Sequence, residues 1–251
     1  MAEIVVAANW KMNKTVPESN YLIKEILETL PSIDSITCVV FPPFLSIPSV
    51  SRLLESTSVK LGAQNMHSVE NGAFTGEVSA LMIKDFCSYI LLGHSERRQL
   101  FGETDELVNE KLTTAIKSGL RPVVCVGEQS ADRQNGTTEN VIRTQIKASF
   151  KNINNIGNII VAYEPVWAIG TGTAASPDDA EEVNEVIRDE LATIFGTDQV
   201  SKTPILYGGS VTANNVADFL IKPNVNGALI GGASLDAAGF NEILNIACNL
   251  T

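Results

Sequence analysis

The chain has 251 residues, 44% hydrophobic and 19% charged, a globular composition that excludes intrinsic disorder and suits one α/β barrel or two small domains. Its formal net charge is −11 and no basic run offsets it, which excludes nucleic acid as a partner. No apolar run approaches membrane-spanning length, and an anionic small molecule would have to be held by backbone N–H groups and one or two local cations.

Short β-branched runs recur along the whole chain: Ile4 to Ala8, Ile36 to Phe41, Val59 to Ala63, Tyr89 to Leu92, Val123 to Val126, Ile159 to Tyr163, Ile205 to Tyr207, and Gly227 to Ile230. Each reads as a near-continuous apolar strand, the pattern of a sheet covered on both faces. Helical periodicity lies between them. Tyr21, Leu22, Ile26, Leu27 and Leu30 share one helix face, Leu107, Lys111, Leu112 and Ile116 give a further turn pattern, and Val183, Val186, Ile187, Leu191 and Ile194 another face. Pro177, Asp178 and Asp179 mark the start of that last helix. Alternating strand and helix implies parallel βαβ units. Eight such units without a linker-like stretch predict a single (β/α)8 barrel domain over residues 1–251, with a doubly wound sheet of fewer strands as the alternative.

A barrel places its chemistry at the C-terminal ends of its strands. Those positions hold Asn9-Trp10-Lys11, Gln64-Asn65, Gly93-His94-Ser95-Glu96-Arg97, Gly127-Glu128, Glu164, Gly208-Gly209-Ser210 and Gly231-Gly232. Glu164 is the most informative. A strand delivers it, Pro165 limits the backbone after it, and Gly170-Thr171-Gly172 forms a tip that can approach an anion closely. That order suits a general base beside a closing loop, against the plainer reading of an acid at a strand end before a surface turn. Lys11 is either a solvated lysine or a source of positive potential for an anionic ligand. His94 is either a satisfied, partly buried histidine or a catalyst whose imidazole is kept neutral by a helix starting at Ser95. Glu96 is a capping acid or a partner for Lys11. Gly209-Ser210 and Gly231-Gly232 read as a phosphate-binding pair of turns, against ordinary turn glycines. Gly170-Thr171-Gly172 lacks the third glycine of a dinucleotide fingerprint, and Trp10 and Trp167 read as packing anchors.

Cys38, Cys87, Cys125 and Cys248 are far apart and form no CxxC pair, which argues for free thiols in a reducing compartment. Two histidines, His67 and His94, are too few for a His-rich metal site. The first residues lack the basic and apolar regions of a signal peptide, so a cytoplasmic location is expected.

From end to end the chain resembles the triosephosphate isomerase family. The motifs that carry the resemblance are Asn9-Trp10-Lys11, Gly76-Glu77-Val78-Ser79, Leu91 to Arg98, Ala162 to Gly172, Leu206 to Ser210 and Gly231 to Leu235. The resemblance implies interconversion of dihydroxyacetone phosphate and glyceraldehyde 3-phosphate, in glycolysis and gluconeogenesis, with no cofactor or metal. It implies Glu164 as the base, His94 as a neutral electrophile, Lys11 and Asn9 as substrate ligands, and backbone N–H groups of Gly170, Ser210, Gly231 and Gly232 around the phosphate. Glu96 would brace Lys11, and Ile169 and Leu229 would wall off Glu164 and raise its basicity by desolvation. It implies a homodimer in which Thr75 reaches the partner's site, Met12 and Phe74 pack in the interface, and Glu77 pairs with Arg98 across it. One departure concerns the far hinge of the loop: Thr173-Ala174-Ala175 stands where the family usually has a lysine first, and altered loop kinetics with catalysis retained are expected. Two alternatives remain open: another phosphate-binding barrel such as a pentose-phosphate epimerase, and a non-catalytic scaffold on the same fold. The first fits poorly with so few histidines, and the second with the presence of Lys11, His94 and Glu164.

Overall fold

A computed structural model describes residues 2–168 and 175–250. Strands and helices alternate: β1 (Ile4–Asn9), α1 (Val16–Glu28), β2 (Ile36–Phe41), α2 (Ile47–Leu54), β3 (Lys60–Ala63), α3 (Ala80–Ile83), β4 (Tyr89–Leu92), α4 (Ser95–Phe101), α5 (Asp105–Lys117) and β5 (Arg121–Val126). There follow α6 (Ser130–Gln134), α7 (Thr138–Ser149), β6 (Ile160–Tyr163), α8 (Pro177–Phe195), α9 (Thr197–Val200), β7 (Ile205–Tyr207), α10 (Val216–Leu220), β8 (Gly227–Ile230) and α11 (Ala237–Asn249). All strand pairs are parallel, and β8 closes onto β1 through Val5↔Gly227 to Ala8↔Ile230, so the sheet is the closed eight-stranded barrel that the alternation predicts.

The strands are apolar throughout because both faces are buried. Val5, Ala7, Val39, Phe41, Leu91, Val123, Cys125, Ile160, Ala162 and Leu206 point into the barrel. Their neighbours Val6, Ala8, Cys38, Val40, Leu92, Val124 and Val161 point out against the helices. The barrel interior is therefore a packed core. Gly62 shows how tightly: a Cβ there would lie 2.2 Å from the Phe41 ring.

Local sequence sets the helix starts. Thr15 and Glu18 form a capping box at α1, and Ser176 and Asp179 form another at α8, with Pro177 in its first turn. Each exchange satisfies N–H groups that have no partner inside the helix. The faces follow the periodicity with three corrections, at Tyr21, Ile116 and Ile194. Leu22, Ile23 and Ile26 are the buried apolar residues of α1, whereas Tyr21 is 65% exposed. A helix that leans on a curved barrel buries a narrower stripe than its apolar residues span, and a tyrosine at the margin keeps its hydroxyl in water. In α5 and α8 the outer residues Ile116 and Ile194 are likewise exposed, while Leu112, Ile187 and Leu191 are buried.

Candidate active site

One pocket of about 280 Å³ lies at the C-terminal end of the barrel and gathers residues from the ends of five strands, β1, β4, β6, β7 and β8. Asn9, Lys11, His94, Glu164, Gly208 to Thr212, Leu229 and Gly231 to Ala233 line it. Residues separated by more than two hundred positions thus meet because all follow parallel strands.

Lys11 has a left-handed backbone, φ 53°, unusual for a residue with a Cβ. Its neighbours hold it there. The Asn9 Oδ1 accepts the Lys11 N–H at 3.0 Å, and the Gln64 side-chain amide donates to the Lys11 carbonyl and the Phe41 carbonyl, both at 2.8 Å. Strain of this kind is kept where surrounding contacts over-determine it. The ammonium group is 2.7 Å from Glu96 Oε1, which places Glu96 beside Lys11 rather than in a purely capping role. Both side chains are part-exposed, so the pair is free to rearrange when an anion arrives.

His94 caps α4. The Glu96 N–H donates to His94 Nδ1 at 3.3 Å, so Nδ1 carries no proton and the ring proton sits on Nε2. Nε2 lies 2.9 Å from Glu164 Oε1. Glu164 is buried and also accepts the Ser95 N–H at 2.8 Å and the Ser95 hydroxyl at 3.2 Å. Two expectations about acidity differ here. Burial alone would raise the Glu164 pKa, but His94, the Ser95 N–H and the Lys11 charge outweigh it and hold the carboxyl below its ordinary value. Burial would lower the His94 pKa, but the Glu164 carboxylate outweighs it and raises it. Burial acts on each group in the expected direction, and the direct contact between the two side chains is the stronger influence.

The glycines of the pocket give access. A Cβ on Gly232 would meet nothing within 4 Å, and one on Gly231 would approach the Lys11 Cε at 3.3 Å, so both backbones face open space beside the lysine. Gly232–Leu235 is a short 3-10 turn, and the Asn215 side chain donates to the Ser210 carbonyl at 3.1 Å. Gly209 is obligatory for another reason: a Cβ there would lie 2.1 Å from the Tyr207 hydroxyl oxygen. Leu229 is buried at the pocket wall. Ile169, Gly170 and Thr173 lie outside the described residues.

Several partners of this site had no signal beyond their place in a motif. Ser95 holds the carboxylate of Glu164. Glu128 is fully buried at the end of β5 and accepts the Tyr163 hydroxyl at 3.0 Å and the Trp167 indole N–H at 2.7 Å. Its pKa is raised by burial, against the pull of those two donors. Trp167 is therefore more than a packing anchor: it ties the start of the loop to the barrel, with the Arg133 guanidinium over its ring. At the other end of that loop the Ala175 N–H donates to the Tyr207 hydroxyl at 3.2 Å. Trp10 does pack as an anchor, fully buried, with its indole N–H unpaired among the described residues.

The segment after β3 folds back on itself. The His67 N–H donates to the Val78 carbonyl, the Glu77 N–H to the Phe74 carbonyl, and the Phe74 ring lies 4.1 Å from the His67 ring. Its tip leaves Thr75 exposed and Phe74 44% exposed; Met12 nearby in sequence to β1 is 96% exposed. Arg98 is engaged within its own chain, donating to the Gly93 carbonyl, the Cys125 carbonyl and Asp105.

The chain is similar to known proteins over nearly its whole length. The family model described as triosephosphate isomerase covers residues 4–247. A triosephosphate isomerase of Dehalococcoides mccartyi is 45% identical over 243 residues, 97% of this chain and 96% of that protein. One from Caldanaerobacter subterraneus subsp. tengcongensis is 44% identical over 248 residues, 98% and 100% of the two chains. One from Carboxydothermus hydrogenoformans is 44% identical over 247 residues, 97% and 98%. With nearly the whole barrel matched, the chain belongs to the triosephosphate isomerase family.

Proposed function

We propose that this chain, acting as one barrel domain over residues 1–251, interconverts dihydroxyacetone phosphate and D-glyceraldehyde 3-phosphate without a cofactor or metal. The observation that carries the reading is the buried Glu164–His94 contact of 2.9 Å on the floor of a pocket that also holds Lys11 and the Gly231-Gly232 backbone. A carboxylate and an imidazole side by side can act on adjacent carbons and their oxygens in one site.

In the forward direction Glu164 leaves Ser95 and takes a proton from C1 of the ketose. The electron pair forms the C1–C2 double bond, and negative charge develops on the C2 oxygen. The His94 Nε2–H and the Lys11 ammonium stabilise that charge, helped by Asn9. His94 then relays a proton between the two oxygens, and Glu164 returns its proton to C2. Once Glu164 has turned away from Nε2, the largest influence that raised the His94 pKa is removed and the smaller pull of Glu96 remains; burial, the Lys11 charge and the Glu96 N–H on Nδ1 then favour the neutral ring. Backbone N–H groups of Gly170, Ser210, Gly231 and Gly232 are the proposed phosphate ligands, and a loop closing with Ile169 and Leu229 excludes water. The two anchors of that loop, Trp167 on Glu128 and Ala175 on Tyr207, hold its two ends to the barrel on either side of such a motion.

A coupled assay of triose phosphate turnover tests this directly. Activity in both directions is expected, and no turnover at micromolar enzyme overturns it. A scaffold reading predicts binding of a phosphorylated triose without turnover and fails if turnover is seen. The active form is proposed as a cytoplasmic homodimer, with Met12, Phe74 and Thr75 at the interface and Glu77 using the remaining donors of Arg98. A nearly fully exposed methionine and a part-exposed phenylalanine are the kind of apolar surface that a partner would cover. Mass in solution should correspond to two chains and fall, together with activity, on dilution; a monomer with full activity would refute it.

A further inference from the structure

Glu164 borders two separate spaces. In front is the pocket just described. Behind it runs a second cleft of about 180 Å³ between the loops that follow β4 and β5. Gly93, Ser95, Val126, Gly127 and Glu164 form its buried floor, and the exposed Gln99 and Gln129 stand at its mouth. Val141 and Gln145 of α7 form the side wall. Gln145 fixes that wall: its Oε1 accepts the Gly127 N–H at 2.8 Å and its Nε2 donates to the Gly127 carbonyl at 3.0 Å. Gly127 in turn has no room for a side chain, since a Cβ there would meet the Glu164 carbonyl oxygen at 1.8 Å.

The cleft suits water. Its volume holds several molecules at about 30 Å³ each, and Gln99, Gln129, Asp132 and Gln145 offer the polar partners that buried water requires. Ser95 and Glu164 both line it, with the Ser95 hydroxyl 3.2 Å from Glu164 Oε1.

We propose that this rear cleft is the route by which the proton held by Glu164 during catalysis exchanges with solvent, with Ser95 as the relay. The proposal rests on the isomerase reading. After proton abstraction the Glu164 carboxylic acid turns back to Ser95. Its O–H bond breaks toward the Ser95 oxygen while the Ser95 hydroxyl proton passes to a cleft water, and the reverse transfer brings a solvent proton to Glu164. Nothing is oxidised or reduced, and the net change is one proton swapped for one from water. The mouth of the cleft lies on different loops from Gly209 and Gly231, so a substrate held in the front pocket would leave the rear cleft open to solvent.

The test is turnover of unlabelled dihydroxyacetone phosphate in deuterated water, with the aldehyde product oxidised irreversibly as it forms. The readout is the ratio of deuterium to retained hydrogen at C2 of the product. Val141→Phe fills the cleft without touching the front pocket; it should lower that ratio severalfold with kcat/KM unchanged. Val141→Ala widens the cleft and should raise the ratio, which keeps the test decisive where the larger side chain prevents folding. An unchanged ratio in Val141→Ala, or in a folded Val141→Phe, at full activity overturns the rear route. Absence of turnover in the unaltered protein would instead overturn the isomerase reading itself, a distinct result.

Discussion

The two ends of the barrel use charged side chains for opposite purposes. At the N-terminal end Arg188 donates to Asn224 Oδ1 at 2.7 Å, to the Val200 carbonyl at 2.9 Å and to Asn226 Oδ1 at 2.8 Å, while Arg121 is paired with Glu3 and donates to the Tyr89 hydroxyl. The Arg188 acceptors belong to backbone or to amides that are themselves bonded, so its charge is pinned. At the C-terminal end Lys11, His94, Glu96 and Glu164 are bonded mostly to one another. Each can change partner. The N-terminal end even has the larger cavity, about 620 Å³ against 280 Å³, lined in part by Ile4, Leu220, Ile221 and Val225. Cavity size therefore does not locate the chemistry here; a cluster of titratable groups with exchangeable partners does.

The comparison breaks most visibly at Glu164. Glu164→Asp withdraws the base by about one carbon and should lower kcat by roughly 10²-fold or more with little change in KM. Steady-state kinetics would show it, and equal losses in kcat and affinity would contradict the role of base. At the opposite end, Arg188→Met should cost about 2–4 kcal/mol of stability, because it leaves buried acceptors without donors. Denaturant unfolding measures that loss, while kcat/KM of the folded fraction should stay at the unaltered value. Lost catalysis without lost stability would erase the distinction between the two ends.

Glu103 tests a case that lies between. It is buried beneath α4, accepts from Arg97 at 2.6 Å and lies 3.1 Å from the Lys111 ammonium. Burial raises its pKa, but Lys111 and Arg97 outweigh this and hold it below its ordinary value of 4.5. A depressed carboxylate contributes stability above the unfolded pKa and loses it as pH falls through the folded value. Glu103→Gln should therefore be less stable than the parent by about 2 kcal/mol at neutral pH, with the gap closing as pH falls below 4.5. A gap that persists unchanged in acid would assign the loss to packing. The smallest effect is expected at Glu128. Glu128→Gln keeps an acceptor for Tyr163 and Trp167 but removes the charge, weakening each bond by about 1 kcal/mol. Trp167 fluorescence should shift and kcat should change by no more than about tenfold, with KM for the substrate rising alongside it. Unaltered fluorescence would show that the indole does not depend on this carboxylate.

Much of the barrel could be read from residue order. The strand bounds agree to within one or two residues, the largest difference being β5, which begins at Arg121 and includes Pro122. A proline ordinarily signals a strand boundary, and here it sits near the start of the strand, where its missing N–H matters least. Helix faces were read less well, as Tyr21 and Ile23 show, because periodicity fixes a stripe but not which edge of it meets the barrel. In the site, Lys11, His94 and Glu164 stood out by residue type after a strand. Ser95, Gln64 and Glu128 did not, since a serine or glutamine at a strand end has many uses. Their roles depend on distances across the rim.

The sequence by itself determined the eight-unit alternation, the strand-end positions of the polar residues and the capping boxes, because each depends on contacts a few residues apart. The tertiary structure alone decided which charge faces which. Glu164 and His94 follow different strands, seventy positions apart in the chain, and only closure of the sheet brings them to 2.9 Å, where their mutual field reverses the pKa direction that burial would give each alone. Burial can be anticipated from pattern, but coulombic contact falls off with distance and has to be measured between atoms.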